Sequence, residues 1–373
     1  MTENEPLSTF FYIFAVYFKV MNTKIKRNHI TIAKAIGIIL MVTCHAGIPN
    51  AHITNFIYVF HMPLFFFCSG YFFKEISQWN NLQQFISRRF SGLYIPYLKY
   101  SFAFILLNNL FFQLHICNTT YGLDDYIWYS IRAVTMNEYE ELMLRPFWFL
   151  KTLLLSSISI AILSFICNKH KKFFHAKTML VIAFAITMCF MFWNLRLPLI
   201  GNCSLITFGM VYLYSGYIYR QHEIHLQLNK SMLIILFMVV LLGSLYFQGI
   251  IDMRYTTTSN TIPYYVLSIL GIIFVFDISK RFNNSLPNKI KNSLYYIGNH
   301  TMPILALHLL IFKLGNFIKI LIYDFPIIKL SDHTIINEHN TYFWIIYLIL
   351  GITIPLLLNH LYNKFTDFII AKQ

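Results

Sequence analysis

The chain has 373 residues, of which 57% are hydrophobic and 12% charged, with a formal net charge of +14. That excludes an ordinary soluble domain, where about a quarter of residues carry charge. No Gly/Ser or Pro linker and no fixed repeat divides the chain, so one domain is expected.

Ten apolar windows, each long enough to cross about 30 Å of hydrocarbon as a helix, lie near 31–48, 53–73, 93–113, 147–167, 178–194, 203–219, 231–249, 261–279, 301–323 and 342–363. None shows the alternation of an outer-membrane barrel, so the fold class is all-α: a polytopic membrane helical bundle. Residues 1–29 form an N-terminal cytosolic or interfacial segment, 30–365 the membrane domain and 366–373 a cytosolic tail. The apolar run Phe10–Val20 is too short to span, and it lacks the basic start and cleavage site of a secretory signal. Translation from Met1 or from Met21 stays open. With the N-terminus cytosolic, 19 of the 29 Lys and Arg fall on the inside, 5 in outer loops and 5 in spans. This follows the positive-inside rule and explains the net charge without nucleic acid. The six cysteines include no CxxC pair and read as packing residues, with no metal site expected.

In the first helix, Lys34 and His45 stand eleven residues apart, which places them within about 20° of one face and about 16 Å apart along the axis. A central Lys costs about 2.5 to 3.5 kcal/mol on insertion scales, so such residues are candidate functional groups. A neutral imidazole at the outer end can take a proton from a hydroxyl. The bland readings are a polar helix end for His45 and a snorkelling Lys34.

The second helix carries Phe60-His61-Met62-Pro63, where Pro63 leaves the Val59 carbonyl without its helical donor. His61 is equally a satisfied kink residue or a substrate contact, and Ser69 and Gly70 permit close packing or a ligand. Arg88 and Arg89 suit phosphate, or serve as positive-inside anchors. The outer loop 114–146 joins acidic residues (Asp124, Asp125, Glu138, Glu140, Glu141) to aromatic ones (Tyr121, Tyr126, Trp128, Tyr129, Tyr139). That mixture fits a sugar or an interfacial belt. The fourth helix starts at Arg145–Lys151, with Trp148 and Lys151 facing a cavity or the interface. The ninth holds His308, expected near the cytosolic half, with Lys313 and Lys319, and should pack in the bundle centre.

Together these segments resemble the acyltransferase 3 family of membrane O-acyltransferases, in particular its fucose 4-O-acetylase-like branch, over roughly residues 28–363. The family's basic residue, ten positions and histidine are matched by Lys34 to His45, with Lys in place of the usual Arg. Phe60 to Tyr71, Arg88 and Arg89 with Ile95-Pro96-Tyr97, Pro146 to Leu150, and Gly298, Asn299, Thr301 and His308 match further motifs in order. The arginines are adjacent here, where some relatives space them as Arg-x-x-Arg.

The resemblance implies transfer of an acyl group, most often acetyl, from cytosolic acyl-CoA to a sugar hydroxyl. In that scheme His45, Lys34 and His61 are catalytic, and Lys34, Arg88 and Arg89 bind the donor. Ser69, Tyr71, Trp148, Lys151 and His308 line the acceptor cavity, with His61 or Lys151 orienting His45 or holding the oxyanion. No permanently bound cofactor is expected. The implied partners are acyl-CoA, a carbohydrate acceptor, membrane lipids and either glycan-biosynthesis proteins or a second copy of the chain, in a bacterial cytoplasmic membrane. The rival reading is a transporter or flippase of a lipid-linked saccharide, although the prolines show no matched halves.

Overall fold

The structure, a computed structural model, describes residues 28–137, 143–169, 176–198, 200–222, 228–247 and 251–371. The Phe10–Val20 run, both candidate start methionines and the loop residues Glu138, Tyr139, Glu140 and Glu141 lie outside them. Among the described residues the chain is helical, apart from a two-residue antiparallel pairing of Arg196–Leu197 with Gly201–Asn202.

The helices are α1 His29–His45, α2 Ala51–Tyr71, α3 Trp79–Arg89, α4 Ile95–Gln113, α5 Leu123–Val134, α6 Trp148–Lys169 and α7 Ala176–Phe192. They continue as α8 Cys203–His222, α9 Lys230–Ser244, α10 Thr258–Ser285, α11 Asn288–Asn299, α12 Thr301–Tyr323, α13 Lys329–Asp332 and α14 Asn340–Ala371. Six helical segments are long and apolar enough to cross a membrane: Ala51–Tyr71, Trp79–Gln113, Arg145–Asn168, Thr258–Ser285, Thr301–Tyr323 and Asn340–Ile369. The apolar helices α1, α7 and α9 are shorter. Among the described residues each of the ten windows read from the sequence overlaps a helix.

Two expectations change. The third window starts earlier, because α3 runs into α4 through a π-helical turn, Phe90–Tyr94, and no break separates them. The outer loop is not all loop, since α5 forms within it: Asp125 takes the Gly122 N–H at 2.9 Å, and Asp124 and Asp125 favour the positive end of the helix.

Helix α2 lies at the centre, packed on α1, α8 and α10. Backbones touch where side chains are missing: a Cβ on Gly70 would overlap the Leu213 carbonyl, and one on Gly216 the Phe67 carbonyl. The carbonyl freed by Pro63 is met from a neighbour, as the sequence required. The Ser268 hydroxyl of α10 sits between Val59 O at 2.5 Å and Tyr264 O at 2.6 Å.

Helix α12 packs inside the bundle, as its polar residues led us to expect, and its buried polar stripe ties down a neighbouring segment. Lys313 donates to the carbonyls of Leu330 (2.6 Å), His333 (2.8 Å) and Ser331 (3.3 Å). Asn316 donates to His333 O and Thr334 O and accepts from Ile336 N (3.0 Å) and the Tyr347 hydroxyl (2.6 Å). Lys319 donates to Ile336 O at 2.7 Å. Spaced by three, these side chains share a face and strap the segment before α14 onto the bundle. The strap ends at Asn340, whose amide donates to Gly47 O (2.7 Å) and Ala46 O (3.3 Å), just past α1.

Candidate active site

Helix α1 starts where the Asn28 side chain accepts from Thr31 N at 2.9 Å. Gly298 of α11 packs so closely on the Thr31 carbonyl that a Cβ would collide, so part of the late glycine motif serves packing. From there one stripe of α1, Thr31, Lys34, Ile38 and Met41, lines an inner cavity of about 330 Å³. Met62, Phe65 and Ser69 of α2, Arg89 and Leu93, Phe149 and Leu150 of α6, and Thr301 and Leu305 of α12 complete it. Lys34 and Arg89 are its cations, and no acidic side chain stands among its described walls. Arg89 donates to the Ser69 hydroxyl at 2.7 Å and lies 5.0 Å from the Phe85 ring centre.

The lining stripes of α1, α2 and α12, each extended by one turn, end on a histidine. His45 follows Met41 by four residues, His61 precedes Phe65 by four, and His308 follows Leu305 by three. His45 is half-buried, whereas His61 is 2% and His308 0% exposed. Of these three, only His45 presents appreciable surface to a substrate. Its Nδ1 lies 2.8 Å from Nε2 of His308, with the two rings edge to edge, their planes 15° apart and their centres 5.1 Å apart. The Nδ1 of His308 lies 2.9 Å from Ile304 O and 3.1 Å from Leu305 O. The Nδ1 of His61 donates to Ile57 O at 3.0 Å, and its ring stacks on Tyr58.

Several expectations are corrected by this arrangement. His308 does not stand apart from the first helix: the packing of α12 against α1 brings it to His45. The side chain bonded to His45 is therefore His308, rather than His61 or Lys151. Arg88 is exposed and lines neither cavity, because neighbours on a helix point about 100° apart and Arg89 takes the inward direction. Tyr71 also lies outside the cavity walls, with its ring edge-on to His29 and Phe72.

Trp148 and Lys151 line a second, wider cavity of about 1070 Å³. Helix α6 forms the wall between the two, with Phe149 and Leu150 on one side and Trp148, Lys151 and Thr152 on the other. Arg132, Arg145 and Arg254 join Lys151 in the wider cavity, with Tyr97, Trp128 and Asn202. Arg132, Arg254 and Asn202 were not singled out from sequence. A signal existed: Arg132, Arg145 and Arg254 are three of the few basic residues in loops read as outer, where positive charge is depleted. Of the loop aromatics, Trp128 faces this cavity, whereas Tyr121 stacks on Tyr129 at 4.6 Å and meets Tyr126 edge-on. Among the described residues no cluster of His, Cys, Asp and Glu could hold a metal ion.

A family model for the acyltransferase domain, acyltransferase 3, matches residues 27–360. The chain belongs to this family, and it is a multi-pass membrane protein with an acyl-transferring domain. No curated protein and no solved structure gives a significant match.

Proposed function

We propose that this protein is an O-acyltransferase of the fucose 4-O-acetylase-like branch. It takes an acyl group, acetyl in the simplest case, from cytosolic acyl-CoA and places it on a sugar hydroxyl of a surface or lipid-linked glycan. The observation that carries this reading is the α1 stripe: Lys34 lies in a cation-bearing cavity, and His45 continues the same face one turn beyond it. A cavity of about 330 Å³ fits a pantetheine arm better than a whole nucleotide. Lys34 and Arg89 then attract the donor's phosphates at its mouth.

The acceptor enters the wider cavity, where Trp128, Trp148 and Tyr97 offer ring faces to sugar C–H groups. His45 takes the hydroxyl proton as the oxygen attacks the thioester carbonyl. The oxyanion so formed collapses, the C–S bond breaks, and the proton passes from His45 to the departing thiolate. The products are an ester and free coenzyme A. Lys151, on the wall between the cavities, is the cation we assign to the developing oxyanion. No bound cofactor takes part. The N-terminus is assigned to the cytosol, the chain to a bacterial cytoplasmic membrane with ten spans, and its working partners to glycan-biosynthesis proteins or a second copy.

The test is release of free coenzyme A from acetyl-CoA by the purified, lipid-reconstituted protein supplied with candidate glycans. His45→Ala should lower turnover by at least about 10³-fold while the protein stays folded and inserted. A folded His45→Ala protein with wild-type turnover removes His45 from the mechanism. A wild-type protein that moves a saccharide and releases no coenzyme A is a transporter.

A further inference from the structure

The fully buried His308 has both ring nitrogens committed, and their partners fix where its protons lie. Its Nδ1 faces the carbonyls of Ile304 and Leu305 at 2.9 and 3.1 Å. Carbonyls only accept, so Nδ1 carries hydrogen. At 0% exposure, with no carboxylate among its hydrogen-bond partners, a charged imidazolium would be costly. In the neutral ring the second nitrogen, Nε2, is a lone pair, and it lies 2.8 Å from Nδ1 of His45. One proton occupies that gap, and it belongs to His45.

We infer that His308 is a positioning residue that holds His45 as its Nδ1–H tautomer and turns the Nε2 lone pair toward the acceptor hydroxyl. It does the work that a buried carboxylate does for histidine in serine hydrolases, by a neutral acceptor that brings no charge into an apolar helix. The other titratable and charged groups on these helices include Lys34 and Cys44 of α1, Tyr58 and His61 of α2, and Lys313 and Lys319 of α12. His61 and Lys313 are bonded to backbone carbonyls, and Cys44 is a buried thiol. The inference rests on His45 being the base, and the experiment separates the two.

The experiment is ring-¹⁵N NMR of histidine-labelled protein in lipid nanodiscs at neutral pH, with the His45 signals identified by their loss in His45→Gln. A protonated Nδ1 and a bare Nε2 are expected on His45 in the wild type, and a shift toward Nε2–H in His308→Leu. Turnover in His308→Leu should fall by about 10²- to 10³-fold, with KM for acetyl-CoA within about threefold, because the tautomer and not donor binding is lost. His308→Gln, whose amide oxygen can accept near the same point, should recover to within about tenfold of wild type. A wild-type His45 carrying its proton on Nε2 overturns the inference. So does undiminished turnover in His308→Leu, or a folded His308→Gln no better than His308→Leu. If His45→Ala stays active, the base assignment fails, and the spectrum still decides whether His308 sets the tautomer.

Discussion

Lys34 and Arg89 line the inner cavity, whereas Lys313 and Lys319, equally costly in an apolar helix, point into backbone carbonyls of residues 330–336 and line neither cavity. The sequence presents Lys34, Lys313 and Lys319 alike, as cations inside spans, and Arg89 as a basic residue at the cytosolic face. Their surroundings separate them. Where carbonyls crowd an ammonium, the charge ties two segments together; where a helix face forms a cavity wall, the charge faces the cavity.

The comparison is broken most severely at Asn316, which is fully buried and makes four hydrogen bonds between α12, the strap and Tyr347. Asn316→Leu should lower stability by about 3 kcal/mol or more, because donors and acceptors on its partners are stranded in a dry interior. Thermal unfolding in detergent checks this, and an unchanged midpoint would show the strap to be dispensable. Lys34→Gln and Arg89→Gln should behave oppositely. Each should raise KM for acyl-CoA by about tenfold, the loss expected for one charge-assisted contact, and leave the unfolding midpoint nearly unmoved. Arg88→Gln should change KM by less than about twofold, since an exposed charge outside the cavity contributes little.

The smallest effect belongs to the surface pair at the foot of the strap. The Lys329 ammonium, 2.6 Å from Glu338, holds that carboxyl below its ordinary range. A depressed carboxylate stabilises its surroundings above the usual glutamate range, and the gain is lost as pH falls through the depressed value. Hydrogen exchange across residues 329–338, taken relative to the intrinsic rate at each pH, should therefore quicken at acid pH in the wild type. In Glu338→Gln it should already be fast near neutral pH.

Much of the α1 face was legible because helical geometry alone places Lys34 and His45 together, and the lining residues at 31, 34, 38 and 41 follow that arithmetic. The split between Arg88 and Arg89 follows from the same angle once the helix is known to be unbroken. The bond from His45 to His308 was hidden, because 263 residues separate the pair and no local pattern sets how α12 meets α1. The partners of the α12 lysines were hidden for a related reason: they are main-chain carbonyls, which leave no trace in side-chain identity.

Gly47 adopts φ +73°, and any Cβ there would run into Ile335 and Asn340. The strap thus grips the chain two residues beyond His45, by contact on one side and by the Asn340 amide on the other. A glycan or antibody fragment that lifted residues 333–340 would have a lever on the imidazole itself, and could silence the enzyme without ever entering either cavity.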